Sequence, residues 1–292
     1  MGVLATDIWT MVIASVVAMS CALLGCFLIL RKMAMISDAI SHAVLPGIVI
    51  AYVFNGELDY TIMLVGAIAT GLITSILIEF LKEKVKIQAD ASIGITYTLL
   101  FAFGIILLSM YDNIAIKSDH VLQGNLEFVA QDIWIYQEDY NLGPIAFWIS
   151  LLTLFSIIAY VIIGFKGLKT TTFNPAFASL IGLSTAFWHY SLMSAVSVTT
   201  VVSFNSIGAI LVIGFMIIPP ATAYLITKRL KQMLWLACGF GTLASIVGFY
   251  LASYLNSSIA GSICVSMGLI FAGVLAFTKL KQKQNKVQPL AN

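Results

Sequence analysis

Charge is what this sequence most lacks. Asp, Glu, Lys and Arg make up 10% of its 292 residues, where a soluble domain carries roughly 25%. So little charge cannot coat a water-facing globule of this size. That excludes an ordinary soluble domain, a disordered chain, a coiled coil and a basic nucleic-acid binder. The 15 Lys and Arg against 13 Asp and Glu leave a formal charge of +2, too small to imply a polyanionic partner. Cysteine is limited to Cys21, Cys26, Cys238 and Cys264; no C-x-x-C pair occurs and all four sit in apolar runs. That is the setting of small buried hydrophobes, not of a metal cluster. Histidine is limited to His42, His120 and His189. H-E-x-x-H is absent, and no G-x-x-x-x-G-K-[ST] loop is present to hold a nucleotide. The first apolar run has no basic leader of the kind a cleavable signal carries; Arg31 and Lys32 follow it instead.

What the sequence has in excess is apolar surface. Hydrophobic residues make up 60% of the chain, and the mean hydropathy is +1.01. The class is an all-α, multi-pass integral membrane protein: one transmembrane domain over residues 1–280 and a polar tail at 281–292. A membrane helix needs about 20 mostly apolar residues. Nine segments qualify: 8–30, 33–54, 60–81, 91–111, 145–165, 186–204, 206–227, 232–254 and 258–278. The sixth is the weakest, with His189, Ser191, Ser194, Ser197, Thr199, Thr200 and Ser203. It is expected to face other helices, and an eight-span reading would drop or merge it. With nine alternating spans and the amino end outside, the inner segments hold every Lys and Arg except Lys117. The positive-inside rule therefore puts the carboxyl end in the cytoplasm.

Two connections are long. The outer segment 112–144 carries Asp112, Asp119, Glu127, Asp132, Glu138 and Asp139 against Lys117. It reads either as a solvated loop or as a surface that concentrates cations or docks a partner. Within it, Val121–Val129 is apolar enough for a short interfacial helix. The inner segment 166–185 contains Thr-Phe-Asn-Pro-Ala-Phe-Ala-Ser-Leu-Ile-Gly at 172–182. Asn174 is placed to cap a short helix with Pro175 at its first position and Gly182 closing it. Such a helix is a plausible grip for a soluble partner.

The most informative stretch is Ser37-Asp-Ala-Ile-Ser-His-Ala-Val-Leu-Pro-Gly47. Asp38 and His42 are four residues apart and share one helix face. An ionisable group inside a span costs roughly 2.5–3.5 kcal/mol on insertion scales, so it is tolerated where it pairs, lines water or binds an ion. Pro46-Gly47 breaks the helix just beyond, as happens at membrane depth where a helix lines a cavity. One reading is an Asp–His hydrogen bond that merely satisfies both groups. The other is a cation site whose carboxylate and imidazole suit Mn²⁺, Fe²⁺ or Zn²⁺. One pair is too few ligands, but two copies across a dimer axis supply two carboxylates and two imidazoles. The empty carboxylates would repel each other until a divalent cation entered.

The motif Ser37–Gly47, with Gly-Cys-Phe-Leu-Ile-Leu-Arg-Lys-Met-Ala-Met at 25–35 before it, closely resembles the signature of bacterial Mn²⁺/Zn²⁺/Fe²⁺ ABC importer permeases, the ABC-3 permease family. Ala91–Ile95, Gly104–Leu107, Asp119–Asn125, Thr172–Gly182, Ser206–Val212 and Ile218–Ala223 resemble further family segments in family order, covering about residues 10–280. The resemblance implies a fold related to the type II ABC importer permeases. It implies a multi-pass homodimer in the bacterial cell membrane with two copies of a cytoplasmic ATP-binding subunit. An extracytoplasmic metal-binding lipoprotein or periplasmic protein would deliver the ion. Asp38 and His42 would hold metal in the path, and Asn174, Pro175, Ala178 and Gly182 would form the coupling helix in the ATPase cleft. His120 and His189 fall at family positions and become further candidates along the path. Asn174 stands where the family usually has Asp, which leaves the capping role intact. Gln123 replaces the usual Phe. The chain itself would hydrolyse nothing and keep no cofactor; its surroundings are membrane lipid, its cargo the metal, with manganese first. The rivals are a proton- or ion-coupled secondary carrier using Asp38, and an intramembrane hydrolase. The second would need a Ser–His pair or zinc triad that no helical spacing provides.

Overall fold

A computed structural model describes residues 3–55, 60–110, 126, 129, 133–136 and 140–287. Its helices are α1 (Val3–Leu30), α2 (Ile36–Ala43), α3 (Leu45–Asn55), α4 (Tyr60–Glu83), α5 (Ala89–Ser109), α6 (Ile145–Phe173), α7 (Pro175–Leu180), α8 (Thr185–Ile207), α9 (Ala209–Ile226), α10 (Leu230–Leu255) and α11 (Ile259–Val287). The carboxyl-terminal helix thus runs on past residue 280. Between α5 and α6 lies an antiparallel hairpin, β1 (Ile133–Tyr136) and β2 (Tyr140–Pro144), with Tyr136 opposite Tyr140. The sequence reading did not anticipate it. The helix expected at Val121–Val129 falls almost wholly outside the described residues.

Each boundary has a local cause. α1 ends where Lys32 takes a left-handed φ of +59°. Met33 N–H then reaches back to Leu28 C=O at 2.9 Å, satisfying a carbonyl the helix leaves open. The second span is broken at Val44. Pro46 has no N–H to donate to the carbonyl one turn back, and its ring crowds that carbonyl.

Contacts between helices fix their directions. Glu79 meets His189 while Gly71 faces Ser197, so α4 and α8 run antiparallel. Cys26 and Cys238 of α1 and α10 point their thiols at the carbonyls of Met233 and Met19, again antiparallel. α1 and α6 are parallel: Arg31 reaches Thr171 and Thr172 at one end, and Trp9 packs on Phe147 at the other, 5.0 Å between ring centroids. α8 turns into α9 at Gly208, whose φ of +84° favours glycine.

Eight helices among the described residues are long and apolar enough to cross a membrane. α8 is not one of them, because its histidine, serines and threonines lower its hydropathy; Ser197, Thr199, Thr200 and Ser203 among them are buried. Its 23 residues, about 34 Å of helix, pack against α1, α2, α4, α6 and α9. The ends of α1, α4 and α6 and the start of α8 meet at one end of the molecule, and the α9–α10 turn lies beside α6 at that end. The basic residues assigned to the inside by charge pattern at these helix ends therefore gather together.

α3 and α4 approach through glycine. A Cβ on Gly66 would collide with Gly47 C=O, and a Cβ on Gly47 with Gly66 C=O. Small residues permit such close packing between membrane helices. Gly66→Leu should therefore cost most of the monodisperse, membrane-inserted protein, whereas Gly94→Leu, where a Cβ meets nothing within 4 Å, should not. Equal gel-filtration profiles for the two variants would contradict this packing.

Candidate functional site

α2 holds the predicted pair on one face. His42 Nε2 lies 3.5 Å from Asp38 Oδ1, and the side chains are 39% and 31% exposed. Ser37 and Ser41 beside them are buried, and Ser41 Oγ donates to the Asp38 backbone carbonyl at 2.6 Å. The imidazole sits against α5, 5.8 Å between ring centroids from both Tyr97 and Phe101. α5 can come this close to the helix break because Gly104 faces Pro46; a Cβ there would lie 2.9 Å from the proline ring. Among the described residues no three His, Cys, Asp or Glu side chains converge to hold a metal. One chain thus offers a carboxylate and an imidazole, partly open, with room for ligands from elsewhere.

The inner loop is a capped single-turn helix. Asn174 Oδ1 accepts from Phe177 N–H at 2.9 Å, Pro175 begins α7, and Ala178 is fully buried. Gly182 has φ +80°, and Leu183 N–H returns to Ala178 C=O at 2.9 Å. A Cβ on Gly182 would touch nothing within 4 Å, so glycine serves the backbone conformation there and not a close contact. Ser184 caps the following helix through Phe187 N–H at 3.2 Å. Around this turn Phe173, Phe177, Leu180 and Ile181 are exposed, an apolar surface at the end of the bundle where α1, α4 and α6 finish.

Beside it is a polar cluster that sequence reasoning did not assemble. Glu79 is buried and lies 3.1 Å from His189 Nε2 and 3.5 Å from Lys82 Nζ. Arg31 Nη1 approaches His189 Nδ1 at 3.5 Å, while Nε and Nη2 donate to Thr172 and Thr171 at 3.0 Å. Arginine only donates, so His189 Nδ1 accepts and Nε2 carries the proton toward Glu79. Both ring nitrogens are engaged, so binding a metal would require His189 to release one. His120 lies outside the described residues. The available signal was Glu79 itself, a carboxylate near the inner edge with no partner in its own span except Lys82. Removing one member of a buried pair costs about 3–5 kcal/mol. Glu79→Ala should therefore melt well below wild type in detergent, and Glu79→Gln, which keeps an acceptor for His189, less so. An unchanged melting temperature for Glu79→Ala would contradict this account of the cluster.

The sequence matches the model of the ABC 3 transport family over residues 5–278. It is 40% identical over 274 residues to the manganese transport system membrane protein MntD of Bacillus subtilis, covering 93% of this chain and 92% of that protein. It is 38% identical over 273 residues to the zinc transport system membrane protein TroD of Treponema pallidum, covering 91% of this chain and 72% of that one. Among solved structures, PsaBC from Streptococcus pneumoniae, in complex with Fab, superposes with a TM-score of 0.74 at 32% identity over 94% of each chain. With its multi-pass helical bundle, broken second span and capped inner turn, this chain belongs to the ABC 3 transport family.

Proposed function

We propose that this chain is the permease of an ATP-driven Mn²⁺ or Zn²⁺ importer of the cytoplasmic membrane, and that it works as a homodimer. The ion would pass through a site built from Asp38 and His42 of both protomers. Family membership and manganese- and zinc-transporting relatives support the permease reading. The observation that carries the site is the half-open Asp38–His42 pair on a broken helix, lacking a third ligand among the described residues. A second protomer completes it to two carboxylates and two imidazoles. Manganese comes first because the relatives include several manganese systems. The ligands themselves do not separate manganese from zinc or iron, since binding order disfavours Mn²⁺ and selectivity comes from geometry.

The cycle is alternating access. A binding protein delivers the ion outside, the paired sites take it, and ATP-driven closure of two ATPase subunits moves α7 and opens the path inward. The chain contributes no hydrolytic group; its part is to bind, shield and release the ion. The exposed Phe177, Leu180 and Ile181 around α7 are the surface an ATPase would grip. Electron paramagnetic resonance of Mn²⁺ added to the purified protein tests the site. The expected result is one tightly held ion per two chains, with imidazole nitrogen couplings that His42→Ala removes. Couplings that survive His42→Ala would place the ion elsewhere.

A further inference from the structure

The outer surface between α1, α6 and α10 carries a groove of about 510 Å³ that the transport path leaves unused. Its walls are apolar, with Met19 and Leu23 from α1, Leu154 and Phe165 from α6, and Trp235 from α10. Its depth is informative. Leu154 to Phe165 spans about 16 Å of helix, and half of a ~30 Å hydrocarbon core is about 15 Å. The groove is as deep as one leaflet.

Its mouth lies at the basic end of the bundle. There Lys231 Nζ sits 5.7 Å from the Phe165 ring centroid. Trp235, one turn deeper, is 82% exposed, the position of an interfacial aromatic. Phe165 and Lys231 also border a second depression, shared with Lys169, Lys228 and Arg229. None of these four cations forms an ion pair among the described residues. The turn that presents Lys228, Arg229 and Lys231 is held by hydrogen bonds: Arg229 N–H donates to Thr227 Oγ1 at 3.2 Å, and that hydroxyl donates to Gln232 Oε1 at 2.9 Å. α10 starts there without a side-chain cap, so its positive end adds to the field.

We propose that this composite groove binds one anionic phospholipid, an acyl chain lying along α1, α6 and α10 and the phosphate among Lys169, Lys228, Arg229 and Lys231. A zwitterionic lipid would fill the groove and leave the cations largely uncompensated. A soluble anion would use the cations and leave the groove bare. Basic pockets between helices at the cytoplasmic surface are known anionic headgroup sites. The headgroup would tie the inner end of α6, which leads directly into Asn174 and α7, to the α9–α10 turn. The assignment to the inner leaflet rests on the membrane orientation argued above; the binding site itself does not.

The test is quenching of Trp235 fluorescence in nanodiscs of phosphatidylcholine doped with brominated phosphatidylglycerol or brominated phosphatidylcholine, with Trp235→Phe as the background. Phosphatidylglycerol should win at least tenfold. Neutralising the four cations together (Lys169→Gln, Lys228→Gln, Arg229→Gln, Lys231→Gln) should bring the preference near one. Lys279→Gln with Lys281→Gln, on α11, should leave it intact. Equal quenching by both lipids overturns the proposal, as does a preference that survives the four-fold change. Quenching by neither lipid also overturns it and would mean that a second copy covers the groove. The assay uses neither metal nor ATP, so its failure leaves the importer reading standing.

Discussion

Asp38→Ala is expected to abolish ATP-driven uptake of Mn²⁺ and Zn²⁺ while leaving the protein in the membrane and bound to its ATPase. In the proposed homodimer each protomer would contribute one carboxylate and one imidazole; in this chain the two lie 3.5 Å apart. The substitution would then remove both carboxylates of that dimer at once and leave two imidazoles. Losing an outer-shell partner of a metal ligand already costs roughly 10–100-fold, and losing the only charged ligand should cost more than that. The fold should tolerate the change. Among the described residues the Asp38 carboxylate pairs with His42, and a carboxylate in a span costs insertion energy that alanine relieves. His42 keeps its contacts with Tyr97 and Phe101. Membrane level and ATPase co-purification read the fold, and uptake reads the site. Uptake at the wild-type rate by Asp38→Ala would remove the site from this account.

Gly182→Arg should release or uncouple the ATPase without altering the outer side. Gly182 has φ +80°, a conformation that costs an ordinary residue roughly 1–2 kcal/mol. The backbone there closes α7 through Leu183 N–H and Ala178 C=O. Relaxing that strain would turn the exposed Phe177, Leu180 and Ile181 away from their present arrangement, and the new guanidinium would sit among them. ATPase co-purification should fall at least tenfold, about 1.4 kcal/mol of binding, with uptake falling alongside. Gly182→Ala should lie between wild type and Gly182→Arg, because a Cβ meets nothing within 4 Å and only the backbone strain remains. ATP-driven uptake retained by Gly182→Arg would count against α7 as the coupling element.

Much of this architecture was legible because membrane helices obey local rules. Residue 46 lacks an N–H wherever it is placed, so the break beside it could be read before any coordinates. Asn174, Pro175 and Gly182 spell a cap, a first residue and a left-handed stop in order, and the helix between them has those features. Of the basic residues sorted by parity, Arg31, Lys32 and Lys82 line one depression and Lys169, Lys228, Arg229 and Lys231 another at the same end of the bundle. α8 was legible as the odd span, since its hydroxyls forbid a lipid-facing surface. Its antiparallel packing on α4 became evident only from Glu79–His189 and Gly71–Ser197, two contacts in one register.

The cluster around Glu79 was not legible for a different reason. Arg31 just past α1, Glu79 on α4, Thr171 on α6 and His189 on α8 come from four separate segments, and no helical periodicity links positions so far apart. Each was notable alone, but their meeting is a property of packing. The paired strands Ile133–Tyr136 and Tyr140–Pro144 were missed because they are four and five residues long and show no sustained apolar–polar alternation. The groove and its four cations combine α6 with the α9–α10 turn, again a product of packing.

The most direct test of the central claim is uptake of radioactive Mn²⁺ and Zn²⁺ into vesicles carrying this chain, with and without its ATPase and metal-binding protein. Uptake is expected only when both partners and ATP are present, competed by whichever of the two ions is the true substrate. Uptake by the chain alone, driven by a proton gradient and indifferent to ATP, would contradict it and make Asp38 a proton carrier.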